Sequence, residues 1–211
     1  MPNKAPEMVG QFSTADLGGI LMDVMQVLNT RRTYRAFTQK SVPQDVLSDI
    51  LEAARTANCG ANRQSLRYAV AQKPEDVARL CEWSRWAAAI PNGAGTPGPD
   101  QRPTLFVVVL QDTTVPGYSD IDVGIAVASM TTAAWAKGVG SCIIGTLDRV
   151  KTAEWLKLPE TIQVHTGIAF GYPAHKSTVV PMEDTQKNYW RDENGDYFVP
   201  KYALEKIVRY L

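Results

Sequence analysis

The run Thr104-Leu105-Phe106-Val107-Val108-Val109-Leu110 constrains the fold more than any other stretch of these 211 residues. It is continuously apolar and rich in β-branched side chains. It therefore has no face to offer to water and reads as a strand buried on both sides of a sheet. Residues 121–137 make a similar demand, because Ala, Gly, Ser and Thr alternate with apolar side chains all the way around a helix. Such a helix lies in the interior or packs closely against a partner. A chain that holds both must wrap its remaining elements around them.

Those remaining elements follow from apolar spacing and punctuation. Leu17, Ile20, Leu21, Val24, Val27 and Leu28 predict a helix over 15–29, with Asp16 near its start. Pro43-Gln44-Asp45 opens a second helix through Val46, Leu47, Ile50, Leu51 and Ala54, with Ser41 placed to cap it. A strand is expected over 67–71. A third helix begins at Lys73-Pro74 and runs through Val77, Leu80, Trp83 and Trp86. Four prolines and three glycines between Ile90 and Pro103 make an irregular connection, of a length that usually has a function or covers something. Gly138 and Gly140 close the central helix. A buried strand over 141–144, a short helix over 150–156 and a last core strand over 161–170 come next. The tail holds Tyr189-Trp190-Arg191-Asp192, a turn at Asn194-Gly195, Val199-Pro200-Lys201 and a terminal helix from Ala203. Residues 1–14, with Pro2, Pro6 and Gly10, read as a flexible leader. Residues 15–211 read as a single α+β domain without repeats.

Charge and cysteine content exclude several classes. Lys+Arg and Asp+Glu both number 22, so no global field draws the chain to nucleic acid or to anionic lipid. No apolar run approaches the ~20 residues of a spanning helix, and residues 1–14 lack a signal-peptide core. A soluble, cytoplasmic protein is expected. Cys59, Cys81 and Cys142 are too few and too far apart for a disulfide framework, a zinc site or an iron–sulfur site. They read as free buried thiols, with no metal. The chain has no G-x-S-x-G elbow, H-E-x-x-H pair, Walker loop or G-x-G-x-x-G fingerprint. Only His165, read as a core residue, and His175, read as an exposed loop residue, remain as bases.

Against this balanced background, Arg31-Arg32-Thr33-Tyr34-Arg35 packs three guanidiniums and two hydroxyls into five residues. Guanidinium is a planar fork of donors that matches phosphate oxygens in pairs and keeps its charge. The segment is a phosphate cradle, a solvated basic turn, or a source of ion pairs. Three more segments could join it. Asn62 and Gln64, in the polar run 58–64, offer amides to a ring edge or polyol, or else cap the preceding helix. The Ile143-Ile144-Gly145-Thr146 stretch offers backbone where a side chain would obstruct a flat ring, or is only a turn. Lys176, beside His175, adds charge to the phosphate or is a solvated lysine. A chain with anion-binding groups but no acid, base or nucleophile must borrow reactivity from a cofactor.

The order of these segments resembles the nitroreductase family of FMN-dependent oxidoreductases. Arg31 to Arg35, followed by Phe37 and Val42-Pro43, is similar to that family's R-R-S-x-R motif. Glu52-Ala53-Ala54-Arg55 leading into Gly60-Ala61-Asn62-Arg63-Gln64 resembles its E-A-A helix end and S-G-x-N-x-Q-P-W loop. Asp122 to Ala126, then Gly138 to Gly145, resemble its central helix and following strand, and Gly171-Tyr172-Pro173 its late strand end. The resemblance implies a three-layer fold, with a central mixed or antiparallel sheet between helices and a C-terminal extension packed on a dimer partner. It implies a homodimer with FMN at the interface. Arg31, Arg32, Thr33, Arg35 and Lys176 would hold phosphate and ribityl, and Cys59, Asn62 and Gln64 would come from the partner. Ile144 and Gly145 would cover the ring, with the Gly145 N–H near flavin N5. The implied reaction is ping-pong, from NAD(P)H through the flavin to an electron-poor small molecule such as a nitroaromatic or quinone. Relatives implied as alternatives reduce free flavin, dehalogenate or fragment flavin, or bind flavin without turnover. The chain departs from the pattern at Ser65-Leu66, which stand for P-W, at Cys59, which stands for the loop serine, and at Thr33. Arg63 is the nearby candidate for the basic residue some members place beside the flavin pyrimidine.

Overall fold

A computed structural model describes residues 23–116, 119–183, 185 and 187–211. The leader over 1–14 and the first half of the helix expected over 15–29 lie outside these residues; the second half is α1, Val24–Thr30. The apolar run becomes β2 (Leu105–Asp112), paired antiparallel with β1 (Leu66–Ala71) on one side and β4 (Ile162–Gly171) on the other. β3 (Gly140–Ile144) pairs with the far side of β4, giving a four-stranded antiparallel sheet of order β1-β2-β4-β3.

Both faces of β2 are covered, as its sequence requires. Leu105, Val107 and Val109 pack under α2 (Gln44–Arg55) and α4 (Ser119–Ala136), against Ile50, Met130 and Ala134. Phe106 and Val108 point the other way, toward Val77 and Leu80 of α3 (Pro74–Glu82) and toward Leu147 near α5 (Arg149–Trp155). Helix–sheet–helix layering thus follows from one strand with no polar face. Close contacts fix its geometry. A Cβ at Gly167 would stand 2.4 Å from the Phe106 ring, so only glycine lets β4 pass over that side chain.

α4 is the central helix, but it is not enclosed on every side. Asp122, Val123, Ala126, Val127, Met130 and Thr131 are buried, whereas Ile121, Gly124, Ile125 and Ala128 form an exposed stripe at helical spacing. Gly138, at φ +74°, closes the helix in a left-handed turn, with its N–H and that of Val139 donating to Trp135 and Ala134. Gly140 has a different job. It lies in β3, where a Cβ would strike the Tyr34 ring at 2.6 Å.

Several expectations need correction. α3 stops at Glu82 rather than continuing through Trp83 and Trp86, because the Ser84 hydroxyl caps Leu80 and the Trp86 indole turns back to the Cys81 carbonyl. Ser41 does not cap α2; Pro43 is the N-cap and supplies no side-chain bond. Thr56 ends α2, so Asn62 and Gln64 are not its caps. The connection over 90–103 contains two short 3₁₀ turns, Pro91–Gly93 and Pro99–Gln101.

The tail forms a second sheet that its sequence did not announce: β5 (Ser177–Pro181), β6 (Trp190–Arg191) and β7 (Tyr197–Lys201), in the order β5-β7-β6. The Asn194-Gly195 turn is present, with Gly195 at φ +87°. The terminal helix from Ala203 is not. Only a 3₁₀ turn, Leu204–Lys206, forms there, and Tyr202, Leu204, Ile207, Val208, Tyr210 and Leu211 are all exposed. A short helix draws its stability from burying an apolar face, and here these side chains stay exposed among the described residues.

Candidate functional site

The basic segment runs along the outer edge of β3. Thr33 bridges Ser141, the Tyr34 N–H donates to the Ser141 carbonyl at 2.9 Å, and the Tyr34 side chain is buried against Trp135. Pinned this way, the segment cannot swing into solvent as a free turn would. Its three guanidiniums go to three places. Arg31 Nη1 donates to the Thr131 hydroxyl of α4 at 3.1 Å, and its Nε is buried without an acceptor. Arg32 folds back onto the carbonyls of Arg31 and Asn29. Arg35 lies over the Tyr189 ring at 4.3 Å and the Tyr197 ring at 5.1 Å. Among the described residues, none of the three has a carboxylate within ion-pairing distance.

That charge is unrelieved. Burial draws the Arg32 pKa below its usual value, and the neighbouring Arg31 adds to the effect against an opposing contribution from Tyr34. An anion beside these groups would restore the lost stabilisation. The segment is not a freely solvated turn, and among the described residues it is not a source of ion pairs.

Beyond Thr33 along the same edge, Ile144 is 2% exposed and points into the core, while Ile143 is 50% exposed. The strand alternates, so Ile143 offers its side chain to a ligand and Ile144 only its backbone. Gly145 is exposed, and a Cβ built there would meet nothing within 4 Å. Lys176 is exposed, and its backbone N–H donates to Asp196 at 2.7 Å. His175 is not the exposed loop histidine expected. Its Nε2 accepts the Arg35 N–H at 3.0 Å, so its proton sits on Nδ1 and is donated to the Lys176 carbonyl at 2.8 Å. Both ring nitrogens are thus occupied. His165 Nε2 pairs with Asp120 at 2.9 Å, and its Nδ1 is buried without a partner.

The loop after α2 is organised differently. Gly60–Asn62 form a 3₁₀ turn, and Ala61, Asn62 and Gln64 hold φ of +50°, +54° and +53°. Non-glycine residues avoid this left-handed region, at a cost of about 1 kcal/mol each, unless their surroundings impose it. Asp122 is the anchor: it is 2% exposed, and its Oδ1 accepts the Gly60 N–H at 2.8 Å while Oδ2 has no partner. Asn62 and Gln64 point outward, exposed. Arg63 donates to the Pro116 carbonyl. Cys59 is half-buried, unlike Cys81 and Cys142, which are enclosed; all three are free thiols. Beneath the loop lies a pocket of about 640 Å³ lined by Leu51, Cys59, Gln64, Leu66, Tyr68 and Asp122. Sequence reading missed Asp122, although a carboxylate inside an otherwise apolar helix was the available signal.

The two halves stand apart within one chain. The loop leads into β1 at one edge of the sheet and the basic segment lines the outer side of β3 at the other, and those two edge strands are three strand spacings or about 14 Å apart. α4 gives the same answer. The loop is tied to Asp122 and Arg31 to Thr131, nine residues along the helix and again about 14 Å.

Three comparisons bear on this arrangement. A family model described as the nitroreductase family matches residues 28–172. A putative NADH dehydrogenase/NAD(P)H nitroreductase of Methanothermobacter thermautotrophicus is 25% identical over 159 residues, 72% of this chain and 78% of that protein. An FMN reductase (NAD(P)H) of Bacillus subtilis is 25% identical over 181 residues, 75% of this chain and 69% of that protein. Among solved structures, a nitroreductase family protein from Clostridium difficile superposes with a TM-score of 0.63 at 22% identity, covering 90% of this chain and 98% of that one. Among the described residues, no helix is long and apolar enough to cross a membrane.

Proposed function

This chain belongs to the nitroreductase family, and from that premise we propose that it is an FMN-dependent NAD(P)H oxidoreductase working as a homodimer on an electron-poor small molecule, such as a nitroaromatic or a quinone. The observation that carries the reading is the group of guanidiniums at Arg31 and Arg32, held against the sheet edge with, among the described residues, no carboxylate to neutralise them. A phosphate fits the orphaned Arg31 Nε, the lowered Arg32 pKa and the adjacent Thr33 hydroxyl. The open space over Gly145, beside the exposed Ile143, fits a flat ring.

Arg31, Arg32 and Thr33 hold the phosphate in this reading. Ile143 and Gly145 lie against the ring, and Cys59, Asn62 and Gln64 reach the same cofactor from the second subunit. The dimer is argued from the separation of the two halves. The exposed stripe Ile121, Gly124, Ile125 and Ala128 on α4, continued by the half-buried Ser129 and Thr132, can pair with its own copy about a two-fold axis near residues 126–127. An antiparallel pairing of that kind sets the Asp122 end of one helix beside the Thr131 end of the other. Each loop is thereby brought to the other chain's basic segment. The exposed apolar tail from Tyr202 onward is then available to pack on the partner.

The chemistry supplied by bound FMN is hydride acceptance from NAD(P)H, followed by electron delivery to the second substrate. The chain's own residues bind and orient. Arg31 and Arg32 fix the phosphate, and the anchored loop presents amide groups to the polar edge of the ring. The backbone at Gly145 leaves the ring face clear. The test is a visible absorption spectrum of the purified protein before and after NADH or NADPH, followed by a panel of nitroaromatic, quinone, free-flavin and halogenated acceptors. A yellow protein that bleaches with the nicotinamide and recolours with an acceptor agrees with the reading. A colourless protein that takes up no added FMN removes it.

A further inference from the structure

Arg35 does not join Arg31 and Arg32, and its surroundings form a site of their own. The connection over 94–101 and the tail sheet enclose a small, mainly polar pocket of about 50 Å³ beside it. Arg35, Gln101, His175, Arg191, Asn194 and Tyr197 line this pocket. Two of these are cations, and among the described residues neither has a carboxylate within ion-pairing distance. Two acids of the tail are committed to backbone groups: Asp192 Oδ1 accepts the Asp196 N–H at 2.9 Å, and Asp196 Oδ1 accepts the Lys176 N–H at 2.7 Å. Arg35 gives its flat faces to Tyr189 and Tyr197 and, among the described residues, its guanidinium donors meet no acceptor. Arg191 gives Nη1 to the Ala94 carbonyl at 2.9 Å. Gly195 makes room for that guanidinium; a Cβ there would lie 2.9 Å from Arg191 Nη2, and its φ is +87°.

His175 supplies no third charge. Its Nε2 accepts the Arg35 N–H, which requires the neutral ring, and burial draws its pKa below 6.5. The pocket therefore presents two unpaired guanidiniums and a neutral polar wall. A carboxylate would leave one of the two charges over, whereas a phosphate group carries about −1.5 to −2 at neutral pH and accepts from two forks at once. The volume suits the group alone. A cavity needs about 10–15 Å³ of such space to hold one water, so about 50 Å³ takes a group of four oxygens but not a ring attached to it.

We propose that this pocket is a phosphate site, formed by Arg35 and Arg191 and filled either by inorganic phosphate or by the phosphate monoester of a nucleotide. The proposal does not rest on the flavin reading, since Arg191, Gln101 and Asn194 have no part in it. Isothermal titration of the purified protein, with whatever flavin it carries, tests it at low ionic strength against inorganic phosphate, 2′,5′-ADP and 5′-AMP. One saturable phosphate site is expected. Arg191→Gln should weaken it about tenfold or more, and Arg191→Lys, which keeps charge without the fork, by less. Arg149→Gln, an exposed arginine on α5, should leave it unchanged, and flavin content should be the same in all three variants. Tighter binding of 2′,5′-ADP than of phosphate, lost in Arg191→Gln, identifies a nucleotide as the source; equal or weaker binding identifies free phosphate. The proposal is overturned if phosphate fails to saturate, or if Arg191→Gln binds it as the unaltered protein does. It is equally overturned if Arg191→Gln sheds the flavin, since the pocket would then belong to the flavin site. Should the protein carry no flavin, the titration is run in the Arg31→Ala/Arg32→Ala background, which removes the other phosphate cradle, so the two readings can fail separately.

Discussion

In segment 31–35, three guanidiniums sit without a carboxylate in reach among the described residues, while in loop 58–64, three non-glycine residues hold left-handed backbone above one buried carboxylate. Both regions are held out of their preferred state, but by different means. The basic segment is unsatisfied electrostatically, and its backbone is an ordinary extended chain bonded to β3. The loop is unsatisfied conformationally, and its side chains are neutral or exposed. A ligand relieves the first directly by supplying charge. It can only exploit the second, by meeting side chains already fixed in direction. The difference separates affinity, which the arginines are expected to govern, from placement, which belongs to the loop.

The largest expected effect is therefore electrostatic. Replacing both Arg31 and Arg32 by Ala should reduce FMN affinity by about 3 kcal/mol or more, the loss of two charge-assisted contacts. Thermal melting of the flavin-free protein should move by much less, since what these side chains give the fold is the Arg31 bond to Thr131 and the Arg32 bonds to two carbonyls. Equilibrium dialysis against FMN checks this; a double variant with unaltered affinity would remove the cradle from the account.

Next is the anchor of the loop. Asp122→Ala leaves the Gly60 N–H without its acceptor and should cost about 1–3 kcal/mol in urea unfolding. Asp122→Asn keeps an oxygen acceptor and should recover most of that loss. Equal losses in both variants would mean that the carboxylate's charge matters here rather than its bond to the loop. A smaller effect has the opposite sign. Ala61→Gly should raise stability by about 0.5–1 kcal/mol, since glycine adopts φ near +50° without strain. No gain in the same unfolding experiment would show that the backbone is relaxed by other means.

These regions also mark what could be read from the sequence. The sheet, its layering and α4 are legible because a continuously apolar strand must be covered on both faces and a helix without a polar face must lie in the interior or against a partner. The basic segment was legible because arginine keeps its charge anywhere, so three in five residues demand a partner. The strain at Ala61, Asn62 and Gln64 was not legible, since none of them is glycine and the turn is imposed by Asp122, some sixty residues away in the chain. That Ile143 rather than Ile144 is open is not legible either, because which face of an edge strand is open depends on what covers it. The tail sheet was missed for a similar reason. β6 has two residues, and β7 is fixed by pairing with β5 rather than by its own pattern. Arg35 looked like one of a set, and its departure is decided by Tyr189 and Tyr197 far along the chain.

The smallest expected effect concerns pH. Burial lowers the folded-state pKa of His175 below its ordinary 6.5, so the folded chain binds fewer protons than the unfolded one just below that value. The associated stability is fully present above pH 6.5 and declines as pH falls through the lowered folded-state pKa. Urea titrations across this range should show the decline, and His175→Gln should flatten it. A decline that persists unchanged in the variant would assign the proton to another group.

The account's central claim is that the unpaired arginines hold the phosphate of a flavin nucleotide. Quenching of flavin fluorescence by the flavin-free protein, measured with FMN and with riboflavin side by side, tests it most directly, because the two ligands share a ring and differ in the phosphate. FMN should bind about a hundredfold more tightly, or better, and the advantage should shrink as salt is added. Equal affinities for the two would contradict the claim, and so would an FMN advantage that survives loss of both Arg31 and Arg32.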